Sequence, residues 1–320
     1  MMAENSHVDA MYDPRQGSEA ICLQRLDPGV EEFEPRRTNY FAIYRIDSGT
    51  GTFWADASRF SFGPSSLIFF TPYQHIRISP NQPVQGEIVH FHANFLCVET
   101  FHAEAGCSGI LFNDPQGIPI VELDQQTAGE ITRLIEEIRK EQQQCRLGFR
   151  DVMLAQLKVL LILATRSKST TGQENQTGTG GPRHPVLMAF RELIERNYCR
   201  LHAPADYAAL LHVTPKTLGR IVRETLATTP SELIRSRMLT HAKWQLLHTL
   251  RPVKEIAREV GFRDELYFSR LFKKATGCSP TFFRQFETEI RGGSNLSMVL
   301  SDAPIPNGNA AADTSSRIAQ

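Results

Sequence analysis

Residues 261–280 read GFRDELYFSRLFKKATGCSP. A glycine–phenylalanine pair comes first, then a segment with helical spacing whose two edges differ in character. Phe268, Leu271 and Phe272 share one edge, while Glu265, Leu266, Ser269, Arg270 and Lys273 share the other. Gly261 tolerates the positive φ that a tight turn requires, and Asp264 is placed to cap the helix. The apolar edge has Ile256, Val260 and Phe262 to pack against. The comb formed by Arg263, Arg270, Lys273 and Lys274 needs a different partner, and a polyanion fits it.

The same pattern occurs once before. DYAALLHVTPKTLGRIVRETLATTPSELIR (206–235) aligns with EIAREVGFRDELYFSRLFKKATGCSPTFFR (255–284). Ala208 matches Ala257, Leu218 matches Phe268, Arg220 matches Arg270, Val222 matches Phe272, Arg223 matches Lys273 and Pro230 matches Pro280. The offset is 49 at the alanines and 50 beyond the turn, so the second turn is one residue longer. Duplication of this kind marks a repeated structural unit. Each unit is predicted as helix, tight turn, helix, with the second helix suited to the major groove. In the first unit His212 stands at the turn, Thr214 caps the next helix and Pro215 opens it. ELIRSRMLTHAKWQLLHT predicts a connecting helix that holds the two second helices apart at a fixed distance. Successive major grooves on one face of a duplex lie ~34 Å apart.

Charge supports the same division. The chain of 320 residues has zero net charge and 41% hydrophobic residues, enough for about two domains. Residues 1–166 hold 14 Lys/Arg against 21 Asp/Glu, a balance of −7, and residues 184–291 hold 18 against 11, a balance of +7. One half is thereby suited to a polyanion and the other is not. No apolar run reaches the ~18–20 residues of a membrane span, so no membrane partner is expected. The polar first residues lack an apolar signal core, and the expected location is the cytoplasm. Six cysteines without a CxxC pair indicate reduced thiols rather than a disulfide framework or zinc site. No cofactor is called for, and no catalytic residues stand out.

Composition suggests a tail at 1–20, a domain at 21–166, a flexible linker at 167–183 (SKSTTGQENQTGTGGPR), a helical domain at 184–291 and a disordered tail at 292–320. From Ile21 to Leu123, short runs rich in β-branched and aromatic residues alternate with turn residues, as in a β-sandwich or small barrel. TAGEITRLIEEIRKEQQQ then puts Ile131, Leu134, Ile135 and Ile138 on one helical face, with Glu130, Glu136, Arg139 and Lys140 read as its solvated side. The next helix, Phe149–Arg166, is apolar on more than one face and should pack against two things, the β domain and a second subunit. The fold class expected is α+β, with an N-terminal barrel and two following helices, then an all-α domain with two helix-turn-helix units.

IAREVGF, YFSRLFKKATGCSPTFFR, the upstream twin and the connecting helix together resemble the DNA-binding domain of the AraC/XylS family of transcription regulators, over about 100 residues. The first unit departs from the family pattern at His212 and Ala227, where glycine is usual. The resemblance implies base contacts from Lys216, Arg220, Glu265, Leu266 and Arg270, with Thr217 and Ser269 on the same edges. It implies phosphate contacts from Arg223, Lys273 and Lys274, with Arg263 a weaker candidate. An arginine forks onto guanine, whereas Leu266 suits only a thymine methyl group. It further implies a cupin-like N-terminal barrel that binds a small-molecule effector and dimerises. GPSSLIFFTPYQH (63–75) is similar to the cupin strand-turn-strand signature, which makes His75 a candidate ligand-binding residue. His90 and His92 alternate in HFHAN, so they share a face. With Tyr44 and Trp54 they complete the effector candidates, and Phe69 and Phe91 are aromatic neighbours. No trailing glutamate accompanies an HxH in the first strands, and no metal site is proposed. The expected partners are duplex DNA, RNA polymerase, an effector and a second copy of the chain. The function implied is a sequence-specific transcription regulator, read as an activator. A cupin enzyme with a nucleic-acid-binding appendage, and a regulator whose barrel only dimerises, remain as alternatives.

Overall fold

The structure, a computed structural model, describes residues 10–56, 58–97, 111–112, 118–174 and 184–291. Its strands are β1 (Ile21–Gly29), β2 (Phe41–Ser48), β3 (Gly51–Ala55), β4 (Ser58–Phe62), β5 (Ser66–Phe70), β6 (Ile76–Pro80), β7 (Val84–Phe91) and β8 (Ile120–Glu122). They make a five-stranded antiparallel sheet, β1-β7-β2-β5-β8, and a three-stranded one, β4-β3-β6. The sequence predicts a barrel. The described pairings are those of two sheets, and a closed circuit is not among them.

Strict alternation lets the larger sheet serve two cores. Ala42, Tyr44 and Ile46 of β2 join Ile68, Phe70 and Ile88 against Phe53 and Ile78 of the smaller sheet. Ile43, Leu67, Phe69, Val89 and Phe91 point the other way, into the helices. Where β2 and β7 pair, Gly86 lies opposite Ile46, and a Cβ there would stand 1.9 Å from the Arg45 carbonyl oxygen. Only glycine fits that approach.

Helices α1 (Gln125–Gln144) and α2 (Phe149–Glu174) cover the outer face. Ile131, Ile135 and Ile138 meet Met153, Leu157, Leu160 and Leu161 there. Asp124 caps α1 by accepting from the Thr127 N–H at 2.9 Å. Arg139, expected on a solvated side, instead pairs with Glu87 of β7. α2 also runs past Ser167 into the stretch read as linker. Its Thr165, Ser169 and Thr170 hydroxyls donate to carbonyls four residues back, which satisfies them within the helix. The rest of that stretch and the 292–320 tail lie outside the described residues.

The stretch read as an N-terminal tail is packed from Met11 onward. The Tyr12 N–H donates to Asn39 Oδ1 at 2.6 Å, its ring stacks on His92 at 4.3 Å, and Asp13 caps a short 3-10 turn. The C-terminal domain contains α3 (Pro185–Asn197), α4 (Pro204–Leu210), α5 (Pro215–Leu226), α6 (Pro230–His248), α7 (Val253–Glu259), α8 (Glu265–Thr276) and α9 (Pro280–Ile290). One core joins them, including Phe190, Tyr207, Leu218, Met238, Phe268, Phe272 and Phe283.

Candidate nucleic-acid interface

The duplicated sequence folds as two helix-turn-helix units, α4–α5 and α7–α8. Their turns hold His212 at φ 54° and Gly261 at φ 103°. Gly261 is doubly required, because a Cβ would also meet the His202 imidazole at 2.1 Å. Thr214 caps α5 through the Thr217 N–H with Pro215 at the first turn, and Asp264 caps α8 through the Leu266 N–H.

Leu218, Ile221 and Val222 bury the inner edge of α5, and Phe268 and Phe272 bury that of α8, with Leu271 half-buried. The outer edges face solvent. Lys216, Arg220 and Arg223 are exposed on α5, as are Glu265, Leu266, Arg270, Lys273 and Lys274 on α8. Leu266 is 73% exposed, so its side chain is open to an apolar contact from outside the fold. Thr217 and Ser269 are half-buried, and the Thr217 hydroxyl is within 2.8 Å of the Thr214 hydroxyl. Arg220 forms an exposed pair with Glu224 at 2.9 Å. Arg263 is also exposed.

Sequence reasoning missed how the connecting helix α6 is fastened. Arg237 donates to both Glu195 oxygens at 2.8 and 2.7 Å and stacks over the Tyr198 ring at 4.2 Å, which ties α6 to the end of α3. Gln245 donates to Glu259 of α7 at 2.8 Å, which ties α6 to the second unit, and Arg284 of α9 donates to the Leu246 and Arg251 carbonyls. His241 lies between, with Nδ1 at 3.0 Å from the Tyr198 hydroxyl and Nε2 at 3.2 Å from the Gln245 amide nitrogen. Burial, then the charge of Arg237, holds this imidazole below its ordinary pKa. As a neutral ring it accepts from Gln245 at Nε2 and donates from Nδ1 to Tyr198. The capping box of Thr229 and Glu232 starts the same helix.

The effector candidates are dispersed. Tyr44 is fully buried between the sheets, edge-on to Phe70 at 5.0 Å, and burial pushes its phenol pKa up. Trp54 lies half-exposed under the Arg77 guanidinium, 3.8 Å away. His90 is buried beside Tyr40, its Nδ1 without a hydrogen-bond partner, and burial holds its pKa at about 4. His92 is buried and faces Glu287 of α9 at 3.6 Å. Both histidines lie edge-on to Tyr40, on the shared face their alternation predicts. His75 contacts Glu34 and lines a cleft of about 960 Å³ between the domains, together with Arg37, Arg235, Lys243, Trp244 and Lys274. Lys243 is half-buried, and its ammonium pKa is lowered, by burial first.

A helix-turn-helix domain model matches residues 207–285. The arabinose operon regulatory protein of Escherichia coli K12 is 38% identical over 80 residues, which is 25% of this chain and 27% of that protein. The chain thus spans about a quarter of its length. The transcriptional activator RhaS of Klebsiella pneumoniae is 22% identical over 281 residues, 83% of this chain and 93% of that one. Among solved structures, ToxT of Vibrio cholerae O395 has a TM-score of 0.37 at 14% identity, covering 83% of this chain and 98% of its own. The matched segment contains both units, their turns and α6, and the proteins that share it are transcription regulators rather than enzymes. Residues 207–285 thus form a helix-turn-helix domain of the kind these transcription regulators carry, behind a β-rich N-terminal domain.

Proposed function

We propose that this protein regulates transcription by binding a specific duplex through α5 and α8, and that it acts as an activator together with RNA polymerase. The observation that carries the reading is the pair of repeated helices whose inner edges are buried and whose outer edges expose Arg220 and Arg270 at equivalent positions. A base-reading arginine must be free to fork onto guanine, and a phosphate-contacting lysine must reach the backbone. The N-terminal domain is read as a cupin-like sensor that holds a small-molecule effector and dimerises through α2. Of the effector candidates, His75 reaches the interdomain cleft, while Tyr44, His90 and His92 lie inside the packed domain.

The experiment is selection of duplexes from a randomised pool by the full chain, followed by Arg270→Ala and Arg220→Ala. Each variant should lose discrimination at particular base pairs. Equal losses on every sequence would make both arginines phosphate contacts, and recovery of no motif would remove the sequence-specific reading.

A further inference from the structure

Glu287, on α9 of the helical domain, is 2% exposed and points its carboxylate into the N-terminal domain. It accepts from the Tyr73 hydroxyl, and from Asn39 Nδ2 at 3.3 Å. Arg291 lies 3.3 Å away on its own helix end, and His92 Nε2 lies 3.6 Å away. The Asn94 N–H donates to His92 Nδ1 at 3.1 Å, so the neutral ring carries its proton on Nε2, towards Glu287. Burial alone pushes the Glu287 carboxyl up, but His92, Arg291 and Tyr73 outweigh it and its pKa stays below the ordinary value. Burial likewise keeps the Tyr73 phenol protonated as a donor. A buried charge with partners drawn from the other domain adds little net stability but fixes one arrangement over others.

Tyr73 is unusual in two further ways. Its backbone has φ 63°, a conformation a bulky side chain rarely adopts. Its ring leaves the β domain and packs 4.8 Å from Phe283, inside the core of the helical domain. A strained residue that inserts into the neighbouring domain and ends on a buried carboxylate marks a contact held in place by its surroundings.

The same docking brings the β domain onto both reading helices. β4 touches α5, with Phe60 packed on the helical core. Arg37 donates to the Lys274 carbonyl at 2.9 Å, in the last turn of α8. Lys274, a proposed phosphate contact, therefore lines the interdomain cleft. The docked neighbour is the half of the chain with a charge balance of −7, set against a helical domain of +7. An acidic body beside the readers lowers the potential that attracts phosphates.

We propose that the Tyr73–Glu287 contact is an inhibitory latch, which holds the acidic β domain against both reading helices and keeps the chain in its weaker DNA-binding form. This rests on the DNA-binding reading above. Opening the latch frees the outer turn of α8 and removes the acidic neighbour.

The test uses the full-length chain with Glu287→Gln, Tyr73→Phe and the double variant, one change on each side of the contact. Small-angle X-ray scattering reads domain separation without DNA. Fluorescence anisotropy reads affinity for a duplex selected by the full chain. Each single variant should expand the particle and tighten DNA binding by at least about fivefold, within the usual range of coupling between sites. The double variant should match the singles, because both remove one contact. An unchanged scattering profile in both singles would overturn the latch. Expansion with unchanged or weaker DNA binding would overturn its inhibitory sense. If no duplex binds any of these proteins, the regulator reading fails and the inhibitory sense fails with it, while scattering still decides whether the contact holds the domains.

Discussion

Ala227 and Gly277 occupy the same place in the two repeated units, and each ends its reading helix in the left-handed region, at φ 54° and 88°. Their N–H groups close the helices onto the Arg223 and Lys273 carbonyls. Glycine takes this conformation freely, while alanine pays roughly 1–2 kcal/mol. Ala227→Gly relieves that strain and loses roughly 0.4–1 kcal/mol through the looser unfolded chain. A net gain of about 0.5–1 kcal/mol is expected in urea unfolding. Gly277→Ala should lose a similar amount. Equal, small effects at both positions would show that the caps do not limit stability.

Arg220 reaches DNA only by leaving Glu224, an exposed partner worth ~0–1 kcal/mol. Glu224→Ala should therefore tighten binding to all sequences slightly, since it also removes a negative charge near the phosphates. Arg270→Ala should cost ~1–3 kcal/mol on the selected duplex and much less on others. Lys273→Ala should weaken all duplexes alike and lower the salt slope by about 1. Anisotropy titrations at several salt concentrations separate these outcomes.

The buried His90 ties stability to pH. Its folded pKa of about 4 lies below the ordinary 6.5, so the unfolded chain binds the proton first. Stability from keeping this ring neutral is complete above 6.5 and is lost as pH falls from 6.5 towards 4, by roughly 3 kcal/mol in all. His92, also lowered chiefly by burial, acts in the same direction. Urea unfolding of the N-terminal domain signal at pH 7.5 and 5 should show the loss, and His90→Asn should reduce it.

α2 presents Val152 and Val159 outward, 40% and 44% exposed and two turns apart, while its other face is in the core. That stripe supports the dimer expected from the sequence. Val159→Asp should convert the full chain to monomers in sedimentation without lowering its melting temperature by more than a few degrees. A wild-type monomer at micromolar concentration would remove this role for α2.

The helical domain was largely legible because its signals are local. A repeat, Thr214 and Asp264 as caps, and a glycine-like demand at His212 all act within a few residues of themselves. The β-branched and aromatic runs of β2, β5 and β7 were legible for the same reason, although Tyr44, which looks like a pocket aromatic, lies in the core between the sheets. What was not legible depends on distant partners. Tyr73 and Glu287 are 214 positions apart, and nothing near either residue predicts the other. The polar run after Ser167 reads as linker by composition, yet its first part continues α2, where the Ser169 and Thr170 hydroxyls find acceptors in the carbonyls four residues back. Arg139 follows the solvated side of α1 in sequence but lies close enough to a β7 carboxylate to prefer it.

Because the Tyr73 ring packs on Phe283, which also rests on Phe272, parting the two halves uncovers one aromatic face on each while the rest of the helical core stays paired within its own domain. The hinge therefore carries a hydrophobic cost as well as an ionic one, and a front half transplanted from a relative would need an aromatic side chain at the Tyr73 position to seat in the same way.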